Sequence, residues 1–257
     1  MTTSTSDARL ARWLAGEAAR LLLTLRDDLG FADPGQLRDA GDIRSHDLIL
    51  GELSRRRPGD AVLSEEGVRD DPDRPHADRV WIVDPLDGTR EFGEPGRDDW
   101  AVHIALWTAG SNRPFQLEAA AVALPAQRTV LGTDVPPRTP APRQGVRPRL
   151  AVSRSRAPQF LTAVADAIGA DLVPIGSAGA KIAAVIHGYV DGYVHAGGQY
   201  EWDSAAPVAV AVAAGLHASR IDGSPLRYNR ADPWLPDLVV CRSDLAVPLL
   251  TALREHG

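Results

Sequence analysis

The sequence Trp81-Ile-Val-Asp84-Pro-Leu-Asp87-Gly-Thr89 contains an apolar run that changes abruptly into a polar turn. Its first half predicts a buried β-strand over 80–83, because β-branched and aromatic residues fit a half-buried pleated surface. Asp84 stands at the strand end, where Pro85 cannot donate a ladder hydrogen bond. Asp84 and Asp87 can converge on one point, and two such carboxylates repel each other unless a cation lies between them.

The residues around these acids indicate the kind of site. Oxygen-only ligands suit a hard cation such as Mg²⁺. Gly88 allows a ligand to approach the backbone closely, and Thr89 adds a hydroxyl group. The pattern therefore predicts a metal-assisted phosphate site. The alternative is a turn in which Asp84 and Asp87 only accept hydrogen bonds from nearby backbone N–H groups.

Three motifs extend this interpretation. The first sequence, continued to Phe92, resembles the inositol monophosphatase superfamily signature W-x-[IV]-D-P-[LIV]-D-G-T-x-x-F. Trp202-Asp203-Ser-Ala-Ala206-Pro-Val-Ala is similar to the family's W-D-x-A-[AG]-x-x-[IV] signature, and Leu63-Ser-Glu65-Glu66-Gly67 resembles its acid pair after a strand. The resemblance covers roughly residues 8 to 250. It implies an α/β (α+β) fold, a five-layered αβαβα sandwich of the sugar-phosphatase type, with the site at the junction of two subdomains.

Hydrophobic periodicity predicts the order of the elements. The predicted helices are 7–29, 42–57, 157–168, 178–188, 203–214 and 245–255. The predicted strands are 61–64, 79–84, 100–107, 117–124, 150–152, 171–175, 191–195 and 237–241. An antiparallel sheet followed by alternating strands and helices indicates two α/β layers.

The domain boundaries follow from composition. We expect a disordered polar tail over 1–6 and an N-terminal α+β subdomain with the metal motif over 7–133. Five prolines between Asp134 and Pro148 predict a loop or linker over 134–148. Family members commonly have a hairpin with a G-x-G-A turn there, so the sequence departs from the pattern over 128–148. A C-terminal α/β subdomain should then occupy 149–257.

Charge and composition exclude several classes of function. The net charge of −6 argues against a broad basic surface for nucleic acid or anionic membranes. No apolar run approaches the roughly 18 residues that a membrane span needs, and the N-terminus lacks a signal-peptide pattern. The single cysteine, Cys241, can form no intrachain disulfide. We therefore expect a cytoplasmic protein, and we expect it to be a homodimer.

The resemblance implies a metal centre that holds two or three Mg²⁺ ions. Its ligands would be the Asp84 carboxylate, which bridges two ions, and Glu65, the Leu86 carbonyl, Asp87 and Asp203. Glu66 is expected to be a solvent-facing or supporting group. Asp203 stands at the start of a predicted helix, so a helix N-cap is the alternative role for it.

The resemblance also implies how water would attack phosphorus. Metal-activated water near Glu65 and Thr89 would react without a covalent intermediate, and Thr89 would pass a proton towards Asp42. Leu37-Arg-Asp-Ala-Gly-Asp42 lacks the Thr of the family's V-T-x-x-D motif. An N-cap role for Asp42 therefore stays open, with Asp39 as the other candidate for the third-metal acid.

Other segments resemble the CysQ-type 3′-phosphoadenosine-5′-phosphate phosphatases within this superfamily. Gly176-Ser177-Ala-Gly-Ala-Lys181 is similar to their G-S-x-x-K motif with one extra residue, and Asp87-Gly-Thr-Arg90-Glu91-Phe92 to their D-G-T-[KR]-E-F. The substrate-contacting candidates are Gly88, Thr89, Arg90, Ser177, Lys181 and Glu201. A substrate with a second phosphate needs a cation, which Lys181 or Arg90 could supply. Lys181 could instead be a solvated helix residue, and His103 is expected to be a satisfied core histidine.

These observations support three functional hypotheses. The favoured one is a lithium-sensitive, Mg²⁺-dependent phosphatase that converts 3′-phosphoadenosine 5′-phosphate into AMP and thereby supports sulfate assimilation. The second is an inositol monophosphatase or fructose-1,6-bisphosphatase with the same mechanism. The third is a metal-binding interaction protein without turnover, which the cluster of intact acids argues against, because unused clustered carboxylates cost stability.

Overall fold

The computed structural model describes residues 6–67, 73–142, 145–154 and 157–257. Ten strands form two five-stranded sheets, and seven helices cover them within these ranges. The strands are β1 (Ala61–Ser64), β2 (Arg79–Asp87), β3 (Ala101–Thr108), β4 (Leu117–Leu124), β5 (Thr129–Gly132), β6 (Arg149–Ser153), β7 (Asp171–Ile175), β8 (Gly192–Tyr200), β9 (His217–Ser219) and β10 (Trp234–Cys241). The helices are α1 (Asp7–Leu29), α2 (Pro34–Arg56), α3 (Thr89–Phe92), α4 (Leu161–Ile168), α5 (Ala178–Ile186), α6 (Glu201–Ala213) and α7 (Ser243–His256).

The first sheet has the order β1-β2-β3-β4-β5. β1 runs parallel to β2, and the remaining neighbours are antiparallel. β2 is buried along almost its whole length, which explains its continuous apolar run. The ladder between β2 and β3 is irregular between Asp84 and Asp87, so the acids emerge where regular pairing breaks.

The second sheet has the order β7-β6-β8-β10-β9. β6 pairs in parallel with β7 and β8, whereas β10 is antiparallel to both β8 and β9. The loops after β6 and β7 and the end of β8 therefore lie at the same edge of this sheet. That edge faces the acids at the end of β2, because residues of these segments line one cavity with them.

The helices and sheets alternate in five layers. α1 and α2 pack on one face of the first sheet, α5 and α6 lie between the two sheets, and α4 and α7 pack on the outer face of the second. Three buried apolar clusters separate these layers. The predicted five-layered αβαβα sandwich is confirmed. The central cluster contains residues of both sheets, and the division into two subdomains at 134–148 stays a prediction.

Several predicted boundaries are wrong. α2 begins eight residues before Asp42, because Asp33 caps it and Pro34 occupies its first turn. α4 begins at Leu161 rather than at residue 157, and β8 continues to Tyr200. The short strands β5 and β9 were not predicted. β10 starts at Trp234, three residues early, with a register irregularity around Pro236.

The ends and connections are only partly described. The predicted tail 1–6 lies outside the described residues except for Ser6, whose side chain caps α1. Within 134–142 and 145–148 the chain forms no helix and no strand, apart from an isolated bridge between Val135 and Gly132. None of the helices in the described ranges is both long and apolar enough to cross a membrane.

Candidate metal centre and phosphate site

The end of β2 presents two of the predicted acids. The Leu86 N–H donates to Asp84 Oδ1 at 3.0 Å, which turns the chain so that Asp84 and Asp87 project to the same side. Gly88 has φ 87°, a conformation that favours glycine, and a Cβ there would lie 2.9 Å from the Ser177 Cβ. Gly88 thus allows the β2 turn to approach the start of α5 closely.

Asp203 reaches the same point from α6. One carboxylate oxygen from each of Asp84, Asp87 and Asp203 lies within 4.8 Å of the others. The N-cap alternative for Asp203 is wrong, because α6 begins at Glu201 and its N-cap is Tyr200; Asp203 lies at the third position of the helix, where its Oδ2 accepts the Tyr200 N–H at 2.6 Å. The same carboxylate belongs to the acid cluster, because capping uses only part of its acceptor capacity.

The electrostatics of this cluster are unfavourable without a cation. Asp84 is buried, and its Oδ2 accepts no hydrogen bond from any donor in the described ranges. Burial and the charges of Glu65 and Asp87 hold the pKa of Asp84 well above its usual value. Burial and neighbouring acids also raise the pKa of Glu65 to about 7 and that of Asp203 to about 6. An orphaned carboxylate oxygen among other acids fits a hard divalent cation.

Asp87 differs from Asp84 because donors surround it. The N–H groups of Ala178 and Gly179 at the start of α5 donate to its two oxygens at 3.2 and 2.6 Å. His103 Nε2 lies 3.2 Å from Asp87 Oδ2. Burial alone would raise the pKa of Asp87, but the charge of His103, the Gly179 hydrogen bond and the charge of Lys181 together outweigh burial and lower it. The contacts with α5 hold Asp87 against the second half of the chain.

Thr89 and Asp42, the two residues of the predicted proton path, contact each other. Thr89 Oγ1 lies 3.3 Å from Asp42 Oδ1 and 3.1 Å from the Leu86 carbonyl oxygen. Burial and the charge of Glu66 raise the pKa of Asp42 to about 7, against the effect of the Thr89 hydrogen bond. Asp42 lies inside α2, so its alternative role as the helix N-cap is wrong; Asp33 has that role. Asp39 is exposed, and the Thr89 hydroxyl contacts Asp42 instead.

A cavity of about 1160 Å³ opens above the acids. The predicted site residues that line it are Glu65, Asp84, Leu86, Asp87, Gly88, Thr89, Arg90, Ser177, Lys181 and Asp203. Sequence reasoning missed other lining residues, including Arg154, Tyr200 and Trp202. The rings of Tyr200 and Trp202 stack with centroids 4.6 Å apart. Arg154 directly follows β6. A charged residue at the end of a predicted strand is a sequence signal that could have identified it as a site residue.

The three polar candidates in this cavity have different environments. Ser177 caps α5, because its hydroxyl accepts the Ala180 N–H at 2.8 Å. Lys181 is buried and donates to the Gly176 carbonyl, with its ammonium group over the Tyr193 ring, so the solvated-helix alternative is wrong. Burial lowers the pKa of Lys181 despite the opposing charge of Asp87. Arg90 is half-exposed at the cavity edge.

Glu201 does not line the cavity, and its predicted substrate contact is wrong. It is 1% exposed, and its carboxylate accepts the N–H groups of Asn229 at 2.7 Å and Arg230 at 2.9 Å. The buried Arg74 completes this cluster, because its guanidinium donates to the Asn229 side chain and to the Arg230 carbonyl. The Glu201 carboxyl group therefore holds a loop onto the start of α6.

Residues 12–135 and 136–256 match the family model described as the inositol monophosphatase family. The chain belongs to the inositol monophosphatase family. The family resemblance inferred from the sequence is thus confirmed.

Relatives within the inositol monophosphatase family share most of the chain. The 3′-phosphoadenosine 5′-phosphate phosphatase of Mycobacterium tuberculosis (strain CDC 1551 / Oshkosh) is 55% identical over 246 residues, which cover 93% of this chain and 90% of that protein. The 3′(2′),5′-bisphosphate nucleotidase CysQ of Escherichia coli (strain K12) is 32% identical over 200 residues, 76% of this chain and 81% of that one. The crystal structure of CysQ from Bacteroides thetaiotaomicron has a TM-score of 0.76 at 26% identity and covers 92% of this chain and 97% of that chain.

Proposed function

We propose that this protein is a Mg²⁺-dependent 3′(2′),5′-bisphosphate nucleotidase that hydrolyses the 3′-phosphate of 3′-phosphoadenosine 5′-phosphate to give AMP and phosphate. The observation that carries the proposal is the unsatisfied Asp84 carboxylate, buried beside three further acids at the base of a large cavity. The mycobacterial relative is named for this substrate, which supports the choice of substrate.

In this proposal Asp84, Asp87, Asp203, Glu65 and the Leu86 carbonyl hold two or three Mg²⁺ ions. These ions would stabilise charge on the phosphoryl oxygens and activate a water nucleophile. Asp87 is already fixed by donors from α5, whereas Asp84 has an oxygen to which none of the described residues donates a hydrogen bond. The site is therefore preorganised: Asp87 is held in position and Asp84 has an unsatisfied oxygen, so cation binding needs little rearrangement.

Thr89 and Asp42 would handle the proton. The Thr89 hydroxyl contacts Asp42 Oδ1, so it can accept a proton from water while it passes its own to the carboxylate. A carboxyl whose pKa is about 7 takes up a proton readily near neutral pH. This role rests on the described contact and on the family resemblance.

The second phosphate of the substrate would be bound by Arg90, Lys181 or both. Both side chains line the cavity, and their positive charges complement a bisphosphate. From the family resemblance we also propose Li⁺ inhibition, a homodimer and a role in sulfate assimilation, and from the single cysteine a cytoplasmic location.

Steady-state kinetics test this function. We expect kcat/KM with Mg²⁺ to be highest for 3′-phosphoadenosine 5′-phosphate and lower for inositol 1-phosphate and fructose 1,6-bisphosphate. EDTA should abolish phosphate release, and restored Mg²⁺ should recover it. A higher kcat/KM for inositol 1-phosphate or fructose 1,6-bisphosphate would contradict the proposal and indicate that the protein is a phosphatase for that substrate. No turnover of any of the three by folded protein would favour a metal-binding interaction protein.

A further inference from the structure

His103 occupies an unusual position between the two halves of the acid cluster. It lies on β3 with no exposed surface. Its Nε2 is 3.2 Å from Asp87 Oδ2, and its Nδ1 is 3.0 Å from the Trp202 carbonyl oxygen. Trp202 directly precedes Asp203 on α6. One imidazole ring therefore contacts an acid of β2 and the backbone beside an acid of α6.

The start of α5 packs closely against the His103 ring. A Cβ on Gly179 would lie 2.1 Å from His103 Nε2, a distance that no packed structure tolerates. The Gly179 N–H also donates to Asp87 Oδ2 at 2.6 Å. The Asp87 oxygen is thus flanked by an α5 backbone donor and by the His103 ring, and only glycine at position 179 allows both.

The chemistry of imidazole suits it to this position. The ring carries at least one N–H in every charge state, and both of its nitrogens face oxygen acceptors. Its Nδ1 N–H can donate to the Trp202 carbonyl, and its Nε2 lies at ion-pair distance from Asp87 Oδ2 without the geometry of a hydrogen bond. Groups that orient metal-binding carboxylates in this way commonly change metal affinity or activity by about 10- to 100-fold when they are removed.

We infer that His103 is a positioning residue that fixes Asp87 relative to α6, and so sets the spacing of Asp87 and Asp203 for a divalent cation. The inference rests on the metal centre of the proposed function. An ordinary core histidine would affect only the stability of the fold. The two roles can be separated by measuring cation binding directly, without substrate.

The test is calorimetric titration of Mn²⁺ into EDTA-treated, dialysed protein. We expect His103→Leu to bind Mn²⁺ about 10- to 100-fold more weakly than the wild type. His103→Gln should recover part of this loss, because the amide retains an N–H donor. Ile104→Ala is the matched control: Ile104 is an equally buried neighbour on β3, but it packs in the cluster under α1 and α2. It should lower Tm and leave Mn²⁺ affinity unchanged.

A second pair of variants tests the fit to Gly179. Gly179→Ala should lower Tm and weaken Mn²⁺ binding, because its Cβ displaces the ring. His103→Ala combined with Gly179→Ala should recover Tm through removal of the clash, while Mn²⁺ binding stays weak.

Two results would overturn the inference: wild-type Mn²⁺ affinity in folded His103→Leu, or an equal loss of affinity in Ile104→Ala. Failure of the proposed function would look different. Wild-type protein would then bind Mn²⁺ but release no phosphate from 3′-phosphoadenosine 5′-phosphate, and the effect of His103 on binding would still be measurable.

Discussion

Two buried acidic regions meet at the start of α6, one around Glu201 and one formed by Asp203 with Asp84 and Asp87 of β2, and they have opposite environments. The Glu201 carboxylate accepts two backbone N–H groups and lies near the buried Arg74. The Asp84 carboxylate has one oxygen without any described donor, and its neighbours are Glu65, Asp87 and Asp203. Both regions contain buried carboxyl groups, yet of the two only Glu201 has hydrogen-bond donors for both of its oxygens.

The difference separates a structural acid from a ligand-binding acid. A carboxylate whose oxygens are all satisfied stabilises the fold and has little capacity left for a ligand. A carboxylate surrounded by other acids costs stability until a cation arrives. The sequence Glu201-Trp-Asp203 therefore contains one acid of each kind, and the protein partners of each carboxylate distinguish them better than burial does.

The largest expected effect comes from Asp84→Asn. We expect kcat/KM for 3′-phosphoadenosine 5′-phosphate to fall by at least about 1000-fold, or about 4 kcal/mol of transition-state stabilisation. Metal-free Asp84→Asn should be at least as stable as the wild type, because an amide does not repel Glu65 and Asp203. Phosphate-release kinetics and thermal unfolding in EDTA measure the two quantities. Near-normal kcat/KM in the folded variant would show that Asp84 is not a metal ligand.

The next effect is the dependence of stability on pH and Mg²⁺. The raised pKa values of Glu65 and Asp42 (about 7) and Asp203 (about 6) belong to the folded state. Stability from a raised carboxyl pKa is complete below the unfolded value near 4 and is lost as the pH rises through the folded value. Tm of EDTA-treated protein should therefore fall from pH 5 to pH 8, and Mg²⁺ should raise Tm more at pH 8 than at pH 5.5. A Mg²⁺ effect that is independent of pH would contradict this account.

Glu201→Gln should affect stability and not metal binding. The amide must direct its NH₂ group at the N–H of Asn229 or Arg230, which leaves a buried donor unpaired and costs about 1–3 kcal/mol. Urea unfolding at pH 8 in EDTA measures this loss, with the exposed Glu255→Gln as the control. Burial raises the pKa of Glu201 to about 7, so the wild type gains stability from this group as the pH falls, and the loss in the non-titrating Glu201→Gln should be larger at pH 5.5 than at pH 8. A loss of Mn²⁺ affinity in Glu201→Gln without a loss of stability would show that Glu201, like Asp84, serves metal binding rather than the fold.

The smallest effect is expected for Arg90→Ala. Its side chain is half-exposed, so its charge is screened by solvent and its removal leaves no cavity. We expect KM for 3′-phosphoadenosine 5′-phosphate to rise about threefold to tenfold, or about 1 kcal/mol, with kcat almost unchanged. KM for inositol 1-phosphate should stay constant, as should both values in the exposed control Arg113→Ala. An equal rise in KM for both substrates would show that Arg90 does not contact the second phosphate, and Lys181 would then be assigned that contact.

Much of the fold could be predicted because its signals are local. The apolar run before Asp84 and the leucine spacing of α1 specify their elements within a few residues. The start of α2 was missed although Asp33-Pro34 is a recognisable cap followed by a first-turn proline. The short strands β5 and β9 depend on pairing with distant strands, and periodicity does not reveal such pairing.

Site residues could likewise be predicted where their partners are close in sequence, and not where their partners are distant. Asp84, Asp87 and Thr89 belong to one turn, so their convergence could be deduced from the sequence. Glu201 was misplaced because its partners Arg74 and Asn229 come from distant parts of the chain and are supplied only by the fold. His103 looked like a core residue, and only the tertiary structure brings Asp87 and the Trp202 carbonyl to its ring.

Anomalous diffraction from crystals soaked in Mn²⁺ tests most directly whether the unsatisfied acids form the metal centre. We expect anomalous density among the carboxylates of Asp84, Asp87 and Asp203, and none beside Glu201. Asp84→Asn crystals should lose that density or bind Mn²⁺ at much lower occupancy. Density absent from the three-acid cluster in wild-type crystals, or present beside Glu201 instead, would contradict the account.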